Sequence, residues 1–288
     1  MNLRIQHHTR YDYGAAVSLS QHLIYLRPRE SARQQLSSFK LTVEPSAVLN
    51  SVLDPLDNDL QQARFPELVD HLDIRTEAVI ETFDTNPFDF ILKDYAIPFP
   101  FNYEPVFNFA LGIYLKPPFD STQRKLRAWV RQHLPERPKD TVGMLSALNN
   151  LIFTKLAYER REERGIQPSL TTLERGRGAC RDFAVLFVEI CRTLGIAARF
   201  VSGYLHAPDG DDHRTYGAMH AWAEVYLPGG GWKALDPTHG LWCDDRFVPV
   251  AHAAQAESVN PVQGSYYSAS PISSKLTVEV TVERLDPC

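Results

Sequence analysis

The chain has 288 residues, 44% of them hydrophobic, and a formal net charge of -5 from 30 Lys and Arg against 35 Asp and Glu. That length suits two domains, and the apolar content is enough to bury a core in each. The acidic balance lacks the basic footprint of a nucleic-acid binder, the opening MNLRIQHHTRYDYG lacks the charged-then-apolar pattern of a signal peptide, and no apolar run reaches the ~18 residues that span a bilayer, so neither nucleic acid nor membrane is expected as a partner and a cytoplasmic protein is the default.

The first region reads as β structure. Leu3 and Ile5 alternate with polar neighbours, as do Phe39, Leu41 and Val43; Leu72, Ile74 and Thr76 begin a third run that Val79 to Phe83 continue. Turn signals such as DPLDND separate them. This pattern predicts an antiparallel, sandwich-like domain over residues 1–115. The end of that region is rich in proline and aromatic residues, from Pro87 to Pro118, and is expected to be a connector packed on apolar surface.

Helices follow, in a second domain expected over 116–288. DSTQRKLRAWVRQHL offers Asp120 or Ser121 as N-cap, places Leu126, Trp129, Val130 and Leu134 on one face, and stops at Pro135. A second helix is expected after Asp140, with Leu145, Leu148, Leu151, Ile152 and Leu156 inward. TTLE has the form of a capping box, Thr171 with Glu174.

GRGACRDFAVLFVEICRTLG carries the chemistry. Gly176 and Gly178 give a loop of close backbone approach. The helix after it sets Val185, Val188 and Cys191 on one face, flanked by Phe187 and Ile190, and Gly195 stops it. Cys180 therefore falls on the first turn, where unpaired N–H groups and the positive end of the helix dipole favour thiolate over thiol. The same N–H groups can stabilise the oxyanion that forms when a thiolate attacks a carbonyl. Cys191 reads as a small buried hydrophobe. Cys180 and Cys191 would stand ~16 Å apart along one helix, beyond the ~7 Å of a disulfide. With Cys243 and Cys288 they make no disulfide framework. No CxxC or HExxH spacing occurs, so no metal and no cofactor are expected.

A thiolate nucleophile needs a base, and the base an orienting group. MHAWAEVYLPGGGWKALDP reads as a β-hairpin, with His220, Trp222, Glu224 and Tyr226 on one face and PGGG as its turn. Asp236, just before Pro237, is expected opposite His220 at the open end, within reach of an Asp–His hydrogen bond. Trp222, on the histidine's face, is a candidate for packing and for a substrate-contacting wall at once. Asp182 is expected to be a helix N-terminal charge on another face, and Arg181 to be structural. His213 and His239 could form a metal site with His220, but their spacing matches no standard pattern.

GxGxCRDFA, LGIAARFVSGYL and MHAWAEVYLPGGGWKALDPTHG together resemble the core of bacterial transglutaminase-like proteins, and YDYGAAVSLSQHLIYLRPRE resembles the β domain that precedes it. The likeness runs on through FVPVAHAAQAESVNPVQGSYY. It departs from the family at Ala179, where valine is frequent, and in AHAAQAE. The resemblance implies an α+β fold with a papain-like core, a nucleophile helix packed on an antiparallel sheet, and the family's triad at Cys180, His220 and Asp236. It also implies a cysteine-dependent amide hydrolase or acyltransferase, acting on peptides or protein side-chain amides without a cofactor. Two other classes compete: a peptide-binding or scaffold module of the same fold without turnover, and a metal-binding protein using Cys180 and histidines. Keeping Cys, His and Asp together argues against the first.

Overall fold

The computed structural model describes residues 1–161, 163–207 and 218–285. Its first 82 residues form six strands: β1 (Asn2–Leu19), β2 (His22–Ile24), β3 (Gln34–Glu44), β4 (Val48–Leu53), β5 (Asp59–Arg64) and β6 (Val69–Thr82). The alternation seen in the sequence is a pleat with one dry face. Leu3, Ile5, Leu72, Ile74, Ala78 and Ile80 are all buried. Strands β1, β6 and β3 are neighbours in one antiparallel sheet, and β2, β5 and β4 in a second. Val17, Ile24, Ala63, Leu72 and Ile74, drawn from both sheets, share one core, which makes this part a sandwich.

The connector is more structured than its prolines suggest. It holds two short helices, α1 (Pro105–Ala110) and α2 (Gly112–Leu115). Its aromatics pack on the later sheet: Phe90 lies against Trp242, and the Tyr103 hydroxyl donates to the Tyr226 carbonyl at 2.7 Å.

Next come α3 (Asp120–His133), α4 (Thr141–Lys155), β7 (Ala157–Tyr158), α5 (Ser169–Arg175), β8 (Arg177–Gly178) and α6 (Cys180–Thr193). Asp140 caps α4 by accepting from the Gly143 N–H at 2.7 Å. Two expected caps are absent. Asp120 is the first residue of α3, whose N-cap is Phe119. Thr171 lies inside α5, which starts two residues earlier behind Pro168, so TTLE is not a capping box. Proline pre-sets the entry to that helix, and the capping form of the sequence goes unused.

The later region carries a five-stranded antiparallel sheet, in the order β12 (Leu241–Trp242), β11 (Gly231–Asp236), β10 (His220–Leu227), β9 (Ala198–Leu205) and β13 (Phe247–Ala253). Helix α6 lies on one face of it. Phe183, Phe187, Val188, Ile190 and Cys191 share a core with Ala223, Val225, Leu227 and Leu235. The helix is buried nearly all round, as expected for one carrying apolar residues beyond a single face. Three further strands return to the first region. β14 (Val262–Gln263) joins β2, while β15 (Tyr266–Tyr267) and β16 (Ser274–Arg284) both pair with β1. The first sheet thus draws on both ends of the chain. Among the described residues no helix is long and apolar enough to cross a membrane.

Candidate active site

Cys180 opens α6 after the extended Ala179, and its side chain is partly exposed. The start of this helix is built by Asp182, which is buried and takes four donors. They are the N–H of Ala179 at 2.9 Å, the N–H of Gln167 at 2.8 Å, and the Arg161 guanidinium at 2.7 and 3.3 Å. A carboxylate two residues from a thiolate would oppose it. Here Arg161 neutralises that charge and the N–H groups hold it away in the helix cap. Asp182 is the helix-terminal charge expected from its position. Arg181 is structural too: it donates to the carbonyls of Arg161, Glu163 and Gly165 and ties that loop to the helix.

His220 starts β10, where it pairs with Gly203 of β9. Gly203 is required here, because a Cβ would collide with the Trp222 ring and the Val248 carbonyl oxygen. The β10–β11 register runs from Leu227 opposite Gly231 to Ala223 opposite Leu235. Continued by one step, it sets Asp236 opposite Trp222. The expectation that Asp236 faces His220 directly is therefore off by two residues: the two are diagonal neighbours on the same face, within reach of a histidine side chain. The turn is the reason. Its loop is Pro228–Gly230, and Gly231, at φ 71°, already begins the return strand.

The hydrogen bond forms nonetheless. His220 Nε2 lies 2.8 Å from Asp236 Oδ2, with both side chains out of contact with solvent. Asp236 Oδ1 accepts the Thr238 N–H at 2.8 Å, an Asx turn over the proline. Burial works against a charged imidazole at His220, but the charge and hydrogen bond of Asp236, helped by Cys180, outweigh it and raise the pKa from 6.5 to about 10. Asp236 is held well below the usual carboxylate range: burial opposes this, and His220 and then His239 overcome it. With Nε2 engaged by Asp236, the remaining ring nitrogen, Nδ1, is buried and has no hydrogen-bond partner among the described residues. Cys180 is the other group that acts on this ring. The structure thus brings Cys180, His220 and Asp236 together, in the order thiol, imidazole, carboxylate.

Trp222 is 1% exposed. It packs on Phe247 at 5.4 Å and stands 6.0 Å from the His220 ring. It also lines a cavity of about 290 Å³ between the sheet and the Arg29–Gln34 segment, whose lining includes neither Cys180 nor His220. Of its two expected roles, packing is the one its burial favours. His239 was expected, if anything, beside His213 and His220 around a metal. His213 lies outside the described residues. His239 Nδ1 instead sits 2.6 Å from Asp236 Oδ2. Ligating atoms of His220, Asp236 and His239 fall within 4.8 Å of one another, and the short N···O distances fit protons shared with one carboxylate. Cys191 is fully buried, and burial pushes its thiol pKa far up, as its core role requires.

Arg161 carries no sequence signal: it stands 21 residues from Asp182, with α5 and β8 between them and no local pattern to link the two. His239 did carry a signal, since an Asx turn at Asp236-Pro237-Thr238 folds residue i+3 back onto the aspartate.

Two family models match the chain. The sequence model of the transglutaminase-like superfamily core matches residues 125–237, and that of the bacterial transglutaminase-like N-terminal region matches 3–81. An uncharacterized protein of Mycobacterium tuberculosis is 29% identical over 296 aligned positions, covering 97% of this chain and 91% of the relative. One of Mycobacterium leprae is 34% identical over 115 residues, 39% of this chain and 40% of that protein. The crystal structure of a Cytophaga hutchinsonii protein described as a putative cysteine protease superposes with a TM-score of 0.74 at 19% identity, covering 100% of this chain and 92% of the other, which establishes a shared fold.

Proposed function

Because this chain belongs to the bacterial transglutaminase-like family, we propose that it is a cysteine-dependent amide hydrolase or acyltransferase working through Cys180, His220 and Asp236. One observation carries the reading. A partly exposed cysteine at a helix start acts on a buried imidazole that pairs with a buried carboxylate at 2.8 Å, a pairing that favours the charged ring. In this reading the Cys180 proton resides on His220 Nδ1, and Asp236 steadies the resulting imidazolium. The thiolate attacks an amide carbonyl, and the N–H groups at the start of α6 receive the oxyanion. The imidazolium then protonates the leaving amine, giving a thioester on Cys180. Water resolves it to an acid, or a primary amine to a new amide, and each route returns the proton to the imidazole.

The substrates consistent with this chemistry are peptides or protein side-chain amides, and no step calls for a cofactor. The division into a β domain of residues 1–115 and a catalytic domain of 116–288 belongs to the same proposal, with β14, β15 and β16 returning to the first. Incubating the protein with peptide and amide libraries, with and without a primary amine, tests the reading by mass spectrometry. A product mass of acid or amine adduct is expected, absent in Cys180→Ala. Turnover that survives in the folded alanine variant refutes it.

A further inference from the structure

Asp236 is shared between two imidazoles. Its Oδ2 lies 2.8 Å from His220 Nε2 and 2.6 Å from His239 Nδ1, while Oδ1 takes the Thr238 N–H. Thr238 and His220 hold one oxygen each, and His239 adds a second donor on Oδ2, the oxygen that orients His220, so it limits tilt and sliding of that oxygen within the site. The second imidazole is not itself sealed in. The His239 side chain is 15% exposed, and its ring stands edge-on to His220 at 5.4 Å. It touches the orienting group, not the sulfur.

We propose that His239 is a positioning residue for the cysteine–histidine pair: its Nδ1–H fixes the Asp236 carboxylate in the plane that aligns His220 Nε2, and so keeps His220 Nδ1 aimed at Cys180. The inference rests on the function proposed above. It requires His239 to be the Nδ1–H tautomer, the minor form of a free neutral imidazole, selected here by the 2.6 Å contact. Asparagine can present an amide N–H where Nδ1–H lies, and leucine cannot. The charged and titratable groups around Asp236 are the two histidines and the buried Cys243, which feels its charge.

The test uses the full chain as wild type, His239→Leu and His239→Asn. The rate of iodoacetamide alkylation at Cys180 is followed by peptide mapping from pH 5 to 9, and histidine ring nitrogens are observed by ¹⁵N NMR. In His239→Leu the acid limb of the alkylation profile should move up by about one pH unit, a tenfold slower reaction on that limb, and the His220 Nε2–H signal should broaden or vanish. In His239→Asn both should return to wild type. An unmoved limb in the leucine variant, a limb moved to lower pH, or an asparagine variant no better than leucine would overturn the proposal. A wild-type spectrum showing His239 as the Nε2–H tautomer overturns it without any variant, so a leucine variant that fails to fold leaves the test intact. If wild-type Cys180 labels no faster than Cys243, the catalytic reading fails by itself, and the His220 Nε2–H signal still decides the role of His239.

Discussion

Replacing Asp236 by asparagine should disable the nucleophile while leaving the fold standing. In the native site the imidazolium of His220 persists to about pH 10 although the ring is buried. A rise of that size from the ordinary value amounts to about 5 kcal/mol, a ceiling because neighbouring dipoles relax when a charge is lost. Asparagine removes the charge and creates a conflict as well. If its oxygen keeps the Thr238 N–H, its NH₂ faces both His220 Nε2 and His239 Nδ1, where two N–H groups stood before. His220 can relieve this only by moving its proton to Nδ1, the nitrogen that must receive the proton of Cys180. Charge loss and the wrong tautomer act together, and we expect Cys180 alkylation and acylation near pH 6.5 to fall by about 10²–10⁴-fold. Single-turnover kinetics with an activated ester, alongside iodoacetamide labelling, measure both. A variant within threefold of wild type in both assays, folded by circular dichroism, would refute the triad geometry.

The other carboxylate beside the nucleophile should behave differently: Asp182→Asn removes the buried charge that pairs with the nearly buried Arg161, leaving it the exposed Glu163 at 3.8 Å, and should cost about 3 kcal/mol in urea unfolding, with labelling of Cys180 changed less than tenfold. A loss of acylation there that Asp236→Asn does not show would mean the wrong carboxylate was chosen. His7 gives a pH prediction. Burial, and then His8, lowers its pKa from 6.5 to about 4, so the unfolded chain takes up a proton that the folded one refuses. Its contribution is complete above pH 6.5 and is lost as the pH falls towards 4. His7→Gln should therefore lose less stability than wild type between pH 7 and 4, by up to about 3 kcal/mol, and an equal loss of unfolding free energy in the two proteins, from denaturant titrations at the two pH values, would exclude it.

What the sequence disclosed was set by how local each signal is. The helix start at Cys180 and the hairpin carrying His220 are local, written in glycines and alternation, and both are present. The register was legible only to within two residues: PGGG marks a turn, but which glycine begins the return strand depends on backbone angles that the letters do not state. The connector helices and the Pro168 entry to α5 were missed because proline both breaks helices and begins them. The Arg161–Asp182 pair and the return of β16 to β1 are long-range, and no periodicity announces them. Trp222 shows a different limit. Alternation gives its face of the strand, yet only packing shows that this face is covered over it.

The first sheet bears on the candidate site through two neighbouring strands, β9 and β13. Gly203, the residue of β9 that pairs with His220, is followed by Tyr204, whose buried hydroxyl lies 3.1 Å from His7 Nδ1 on β1. His7 is fixed in turn by Thr9 at 2.7 Å. On the next strand, Val248 and Val250 share a core with Leu3, Ile5, Ala78 and Ile80 of the first sheet. The strand that sets the height of His220 is thus clamped between the hairpin on one side and β13 on the other, with the first sheet packed behind it. The proposed triad needs its imidazole closely placed, and the packing of the first sheet against β9 and β13 restricts how far those strands can move. In the function proposed above, that packing would hold β9, and with it His220, in place against Cys180.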